Sequence, residues 1–426
     1  MKKIITSIII LLAITVSCKT KEKATDVNVE GKEITANKET DNNINNPSEE
    51  LTKTIINPSF NIFKAVCENE GNKSCSFSPA SLNLAFAMVY SGTANNTKKE
   101  ISKVLGFNEN QEYFNKDIKK YFLQLKNFEK DTTMEFSVAN RIYFDKTFTL
   151  KEKYVENILS YAGKELLEEV DFLKNAPKVE NDINQWVSQT TRDRIKKLIP
   201  AGALGSSTKT VLVNAIYFKS NWLYTFDKNL TEEKKFNISK DESKNIAFMK
   251  KTLKNGISFY QNDNIKAIEL PYKTNNISLI IILPKNSTSE NINDYIPNEE
   301  QYFEICDNLT NTPVKIELPK FKTESSFELS KLLMSQGMVE VFQKGDFSNM
   351  SNDKSLKISA VFQKVFFEVD EKGSEAAAAT AILIRTTSIH NNVEVKYEEF
   401  IADHPFIYIL KENLNNTPLF IGKFSE

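Results

Sequence analysis

Apolar and polar positions along this chain fall into four successive patterns. Lys2 and Lys3 precede an apolar run from Ile4 to Val16, interrupted only by Thr6, Ser7 and Thr15. A run this short cannot cross a ~30 Å hydrocarbon core, which takes roughly 20 helical residues, so it reads as the core of an export signal. From Lys19 to about Glu50 the chain is nearly free of aromatics and rich in Lys, Glu, Asn and Thr. That composition cannot bury enough apolar surface to offset its ordering entropy and predicts a flexible tether. Helical spacing then appears at 59–66, at 81–89, where Pro79 marks the start, and at 178–198. Runs rich in β-branched and aromatic residues lie at 134–140, 210–218, 278–283, 314–318 and 365–369 and predict strands. Helices cluster early and strands late, with no internal repeat and no compositional break after about residue 55. The expected organisation is a signal over 1–17, a tether over 18–52 and one α+β domain over 53–426.

The fourth pattern occupies residues 369–388, VDEKGSEAAAATAILIRTTS. Under the two-residue period of a strand, Ser374, Ala376, Ala378, Thr380, Ile382, Ile384 and Thr386 share one face, and all are small, apolar or hydroxylic. The charges of Glu375 and Arg385 fall on the other face, and no proline interrupts the run. The segment could therefore join a sheet without burying a charge. Its alanines suit a helix equally well, and the pattern alone does not choose.

Charge and rare residues narrow the function. The 55 Lys and Arg residues are balanced by 56 Asp and Glu, which argues against a nucleic-acid partner, because neutralising phosphates takes a basic surplus. Histidine occurs twice, at His390 and His404. Hydrolysis through a Ser-His-Asp or Cys-His arrangement needs an imidazole beside its nucleophile, so an enzyme of that type is disfavoured. Scattered cysteines and two late histidines offer no metal-ligand spacing. The run 202–209, GALGSSTK, lacks the order of a phosphate loop and reads as a helix-to-strand turn. No cofactor is expected. Thr15-Val16-Ser17-Cys18 resembles a bacterial lipobox, which implies lipidation of Cys18 after cleavage before it; the alternative is an ordinary secretory signal cut nearby. Either implies an exported protein, as an outer-membrane or cell-surface lipoprotein or as a secreted one. Of the remaining thiols, Cys67 and Cys75 could pair outside the cytosol, with Cys306 left over; three buried free thiols are the alternative.

A set of ordered motifs covers almost the whole domain: Phe77-Ser-Pro-Ala-Ser81, Asn140-Arg-Ile-Tyr-Phe144, Ile183-Asn-Gln-Trp-Val187, the run from Leu212 to Trp222, Glu269-Leu-Pro-Tyr272, Leu318-Pro-Lys-Phe321, Phe400-Ile-Ala-Asp-His-Pro-Phe406 and Pro418-Leu-Phe-Ile-Gly422. Together with the segment after Val369 they resemble the serpins, protease inhibitors that trap their target by inserting an exposed loop into a β-sheet. The resemblance implies three β-sheets, eight or nine helices and a reactive-centre loop over about 371–396. It implies a monomer whose partner is an endopeptidase, held as a covalent acyl complex. It assigns the loop hinge to Glu371, Gly373, Ser374, Glu375, Ala376, Ala377, Ala378, Ala379 and Thr380. It places the bait bond at Thr387-Ser388, sixteen positions beyond Glu371, with Arg385-Thr386 as the alternative. Thr387 suits proteases with shallow pockets, and Arg385 suits trypsin-like or cysteine proteases. The loop exceeds the usual length, the excess lying near 389–395. Ser78, Ser81 and Asn214 match the polar shutter beneath the sheet, where Gln363 stands in place of the usual histidine; ordinary capping by Ser78 and strand packing by Asn214 are the plainer readings. Trp222 matches the tryptophan at the breach, where the loop enters. A non-inhibitory serpin acting as a binding or structural module is the runner-up.

Overall fold

The computed structural model describes residues 49–161, 163, 166–286, 291–374 and 395–425. In chain order the elements are α1 (Glu49–Glu70), β1 (Cys75–Phe77), α2 (Pro79–Gly92), α3 (Asn95–Leu105), α4 (Gln111–Lys130), β2 (Met134–Asp145), α5 (Glu152–Tyr161), β3 (Leu167–Val170), α6 (Phe172–Thr190), β4 (Thr210–Asn221), β5 (Glu232–Asn237), β6 (Ser243–Gln261), β7 (Ile265–Pro271), β8 (Ile277–Pro284), α7 (Glu299–Asp307), β9 (Thr310–Pro319), β10 (Phe321–Glu328), α8 (Ser330–Ser335), β11 (Ile358–Val369), β12 (Gly373–Ser374), β13 (Glu398–Ile401), β14 (Phe406–Glu412) and β15 (Pro418–Phe424). The expected strands are all present, each longer than its apolar run. Two helices differ in extent from the sequence reading. α1 begins ten residues before Ser59 and carries Pro58 within it. α6 starts at Phe172, capped by Asp171, and ends at Thr190 rather than Leu198. The apolar residues Ile195 and Leu198 beyond it are buried all the same, so a buried irregular segment mimics a helical pattern.

Six strands form one sheet, in the order β10-β11-β4-β2-β3, with β12 attached to β4. Nine form a second network, β1-β15-β14-β8-β7-β6-β9-β13, with β5 on β6. This network changes course inside β6. The ladder between β6 and β9 is broken between Leu253 and Ile257, where Gly256 takes a φ of 86° that a side chain would resist. Before the break β6 takes β5 as its other neighbour, and after it β7. The network is thus two sheets sharing one strand, which with the six-stranded sheet gives the three expected.

α2 is buried along all 14 residues. A helix apolar on every side belongs in a core, and α2 fills the space between the sheets. Alternation along β4 sorts its residues between two cores: Leu212, Ile216 and Phe218 face the main core, whereas Val211, Val213, Ala215 and Tyr217 face a second cluster containing Phe172, Val179, Ile183 and Val187 of α6. The six-stranded sheet is therefore covered on both faces, and α6 lies across the one remote from α2.

Candidate functional site

At the middle of the six-stranded sheet β4 and β11 are direct neighbours and run parallel, with Gln363 opposite Asn214 and Phe366 opposite Tyr217. The strands β10, β2 and β3 complete five. At the end of this seam the chain leaving β11 turns back, and Gly373 and Ser374 pair with β4, antiparallel, opposite Asn221 and Ser220. Gly373 approaches β4 so closely that a Cβ there would lie 1.9 Å from the Ser220 carbonyl oxygen, so no other residue fits.

Four groups hold this turn. Trp222 donates its indole N–H to the Asp370 carbonyl at 2.9 Å and its backbone N–H to Lys372 O at 2.7 Å. Its ring stacks on Tyr272, centroids 4.3 Å apart. Tyr272 and the Ser374 hydroxyl are hydrogen-bonded at 2.5 Å, and both residues are fully buried. Burial pushes the Tyr272 phenol up, beyond what the Ser374 bond returns, so it stays neutral. Glu371, 6% exposed, pairs with Lys320 at 3.0 Å and accepts from the Thr231 hydroxyl at 2.9 Å. Burial alone would raise its carboxyl, but the Lys320 ammonium and the Thr231 hydroxyl outweigh it and hold Glu371 below the usual range.

Midway along the seam lies a polar cluster. Gln363 donates to Asn214 Oδ1 at 2.8 Å and to Ser78 O at 2.9 Å, and accepts from Ser78 N at 3.0 Å. Ser78 donates its hydroxyl to Leu419 O at 2.8 Å and caps α2 by accepting from Ser81 N. Capping and membership of the cluster are therefore not alternatives: the Ser78 hydroxyl caps the helix while its backbone N–H and carbonyl bond Gln363. Ser81 donates to Asn140 Oδ1 at 2.8 Å, and Asn140 returns a bond to Ser81 O at 2.9 Å. The four residues singled out from sequence, Ser78, Ser81, Asn214 and Gln363, come together, and all are fully buried. The Asn214 amide nitrogen has no hydrogen-bond partner among the described residues.

Sequence reasoning did not single out Asn140, Tyr272, Lys320 or Thr231. Asn140 and Tyr272 lie inside quoted motifs, and the signal was available: β2 and β4 are aligned so that Asn140 stands opposite Asn214, but that register is invisible in one dimension. Glu375, Ala376, Ala377, Ala378, Ala379, Thr380, Arg385, Thr386, Thr387, Ser388 and His390 lie outside the described residues, as does Cys18. His404 is buried, with Nδ1 2.8 Å from Asp403 and Nε2 2.8 Å from the Pro284 carbonyl, a packing role. Cys67 and Cys75 are free and buried, whereas Cys306 is only partly buried, so the reading of three buried thiols fails for Cys306. The run 202–209 lies in turns between α6 and β4.

The fold and site define a protein built around a five-stranded sheet with a lateral seam and a chain segment anchored at its mouth. Residues 26–426 match the family described as Serpin (serine protease inhibitor). Leukocyte elastase inhibitor of Xenopus laevis is 36% identical over 389 residues, covering 88% of this chain and 99% of that relative. An uncharacterized serpin-like protein of Methanosarcina mazei is 35% identical over 353 residues, covering 82% and 80%. Among solved structures, uncleaved ovalbumin superposes with a TM-score of 0.78 at 26% identity, covering 88% of this chain and 99% of that one. The thermophilic serpin tengpin in its native state gives 0.79 at 27%, covering 89% and 95%. The chain belongs to the serpin family.

Proposed function

We propose that the protein is a suicide-substrate inhibitor of endopeptidases, of the serine class and in addition cysteine proteases, that traps the acyl-enzyme by inserting its loop between β4 and β11. The observation that carries this reading is the antiparallel pairing of Gly373 and Ser374 with Asn221 and Ser220 of β4 at the end of the seam. Continuing that register moves the loop one residue forward for each residue back along β4. Ala376 would then stand opposite Phe218, Ala378 opposite Ile216, Thr380 opposite Asn214 and Ile382 opposite Leu212. The Ser374 hydroxyl meets Tyr272 of the main core, so every even-numbered loop residue would point there too, while Glu375 and Arg385 would not. Thr380 would arrive beside the unpartnered Asn214 amide. Its hydroxyl is an acceptor of the kind that amide lacks.

Chemically the target supplies the reaction. Its nucleophile attacks the carbonyl of the bait residue, Thr387 or alternatively Arg385, and the amine of Ser388 or Thr386 leaves. The new strand then draws the acyl-enzyme along the sheet before water hydrolyses the ester of a serine protease or the thioester of a cysteine protease. Inserting about a dozen residues adds ladder hydrogen bonds at roughly 0.5–1.5 kcal/mol each and buries the even face. Together these amount to on the order of 10 kcal/mol, which makes the trap irreversible in practice. Incubation with a panel of serine and cysteine proteases tests this: an SDS-stable adduct, with its bond mapped by mass spectrometry, is expected. Cleavage without any adduct across the panel would instead favour a binding or structural serpin. Export follows from the N-terminal pattern, with Cys18 as a lipid anchor, and palmitate labelling lost in Cys18→Ser tests it.

A further inference from the structure

We propose that Cys67 and Cys75 form a dithiol–disulfide couple, a buried redox site that staples the last turn of α1 to β1. Their sulfurs lie 3.6 Å apart. A disulfide needs about 2.05 Å, so closure takes a movement of about 1.5 Å, within side-chain rotation and a small shift of a helix end. The segment between them is a tight turn, with Gly71 at a φ of 61°, and Cys75 opens the strand paired with β15, opposite Lys423. Lys423, wholly buried, donates to the Gly71 carbonyl and to Asn293 Oδ1 at 3.0 Å. The same lysine thus closes the turn and fixes the strand, holding the two cysteines in register.

The exchange partner is a low-molecular-weight or protein disulfide. One cysteine thiolate attacks it, its S–S bond breaks, one of its sulfurs leaves as a thiol and a mixed disulfide remains. The second cysteine then attacks the mixed disulfide and releases the other sulfur. The chain loses two electrons and two protons, and the partner is reduced to two thiols. Burial, and after it the neighbouring Cys75, push the Cys67 thiol far up. The couple therefore reacts only when the end of α1 opens, because the thiolate is the nucleophile.

Position gives the bond a consequence. Ser76, the residue after Cys75, donates its N–H to Ser325 Oγ of β10 at 2.9 Å, and its hydroxyl meets Thr323 of β10 and, at 2.5 Å, Tyr408 of β14. β1 thus helps tie the two networks together, and two residues later the chain enters the polar cluster at Ser78. A staple at Cys75 would fix α1 to that tie. This chemistry is independent of the inhibitory reading.

The test uses the full chain, incubated with oxidised glutathione or with dithiothreitol, then acid-quenched, unfolded, alkylated and mapped by peptide mass spectrometry. In the oxidised sample the Cys67 and Cys75 sites should lose alkylation together and appear as one linked species lighter by two hydrogens. Cys306 should be alkylated or carry glutathione singly. The unfolding midpoint should rise by a few degrees on oxidation, and this rise should vanish in Cys67→Ser and in Cys75→Ser. Full alkylation of both sites after oxidation in sub-denaturing urea, or glutathione adducts that never resolve into the linked species, would overturn the proposal. The mapping stands even where a variant fails to fold.

Discussion

Gln363 of β11 donates its amide N–H to Asn214 Oδ1 of β4 across 2.8 Å, and on the far side of β4 Asn140 of β2 stands opposite Asn214 in the ladder. Three neighbouring strands thus carry amide side chains in one lateral row beneath the sheet, fixed to the start of α2 through Ser78 and Ser81. Amides can exchange partners when strands part, whereas an interlocked apolar row would have to repack. An amide also has no proton to titrate near neutral pH. Opening of this seam should therefore lack the pH dependence an imidazole would confer.

Replacing Gln363 by Leu removes both bonds to Ser78 and the bond to Asn214. The Ser78 N–H, its carbonyl and the Asn214 carbonyl are then left buried without those partners. At roughly 1–3 kcal/mol for each unsatisfied group, and less than additively, the native state should lose about 3 kcal/mol. Urea unfolding followed by Trp fluorescence reads this directly. A midpoint equal to that of the parent would mean that the row is filler rather than fastening.

Ser374→Arg addresses the mouth of the seam. Ser374 is fully buried against Tyr272, so an arginine there must either bury an unpaired charge, at several kcal/mol, or keep the hinge out of the sheet. The variant should be cleaved as a substrate, and the yield of SDS-stable protease adduct should fall towards zero. Undiminished yield would sink the insertion reading.

Much of this was legible in one dimension, and the rest has a physical reason for being hidden. The inward side of Ser374 was readable because a strand alternates, and Ser374 is buried against Tyr272; the rest of that pattern lies outside the described residues. The Ser78–Ser81–Asn214–Gln363 group was found through motif resemblance, since its members lie up to 285 positions apart and no local periodicity joins them. Asn140 escaped because membership depends on the β2–β4 register. Lys320 and Thr231 escaped because surface-like Lys and Thr give no sign that they meet the buried Glu371. The early start of α1 was hidden by a polar first turn and by Pro58.

Glu371 makes hinge anchorage sensitive to acid. Its carboxyl is held below the ordinary value of about 4.3, so the charged form is favoured in the folded state. The stabilisation is present above the unfolded-state value and is lost as pH falls through the lower folded one. Unfolding midpoints measured from about pH 6 down to about pH 3 should drop less steeply in Glu371→Gln than in the parent, and the variant should be the less stable of the two at neutral pH. Parallel pH profiles would show that the Lys320 pair contributes nothing at the hinge.

Cutting the loop within 375–394 should stabilise the protein. While the loop is intact, β4 and β11 share a parallel ladder, and parallel pairing is slightly weaker per residue than antiparallel. A severed loop is free to continue from Gly373 at the register already set against Asn221, replacing that one parallel interface with two antiparallel ones. The even-numbered face is buried in the same step. With on the order of 10 kcal/mol available, the melting midpoint should rise by tens of degrees after limited proteolysis. The Trp222 environment, stacked on Tyr272 at the entry point, should change at the same time; Trp186→Phe would isolate that signal. The Ser374→Arg protein, cut at the same bond, supplies the control, because its hinge cannot enter the seam. If the nicked parent melted where the intact protein does, strand addition would not occur, and the fold would be serving as a binding scaffold rather than a trap.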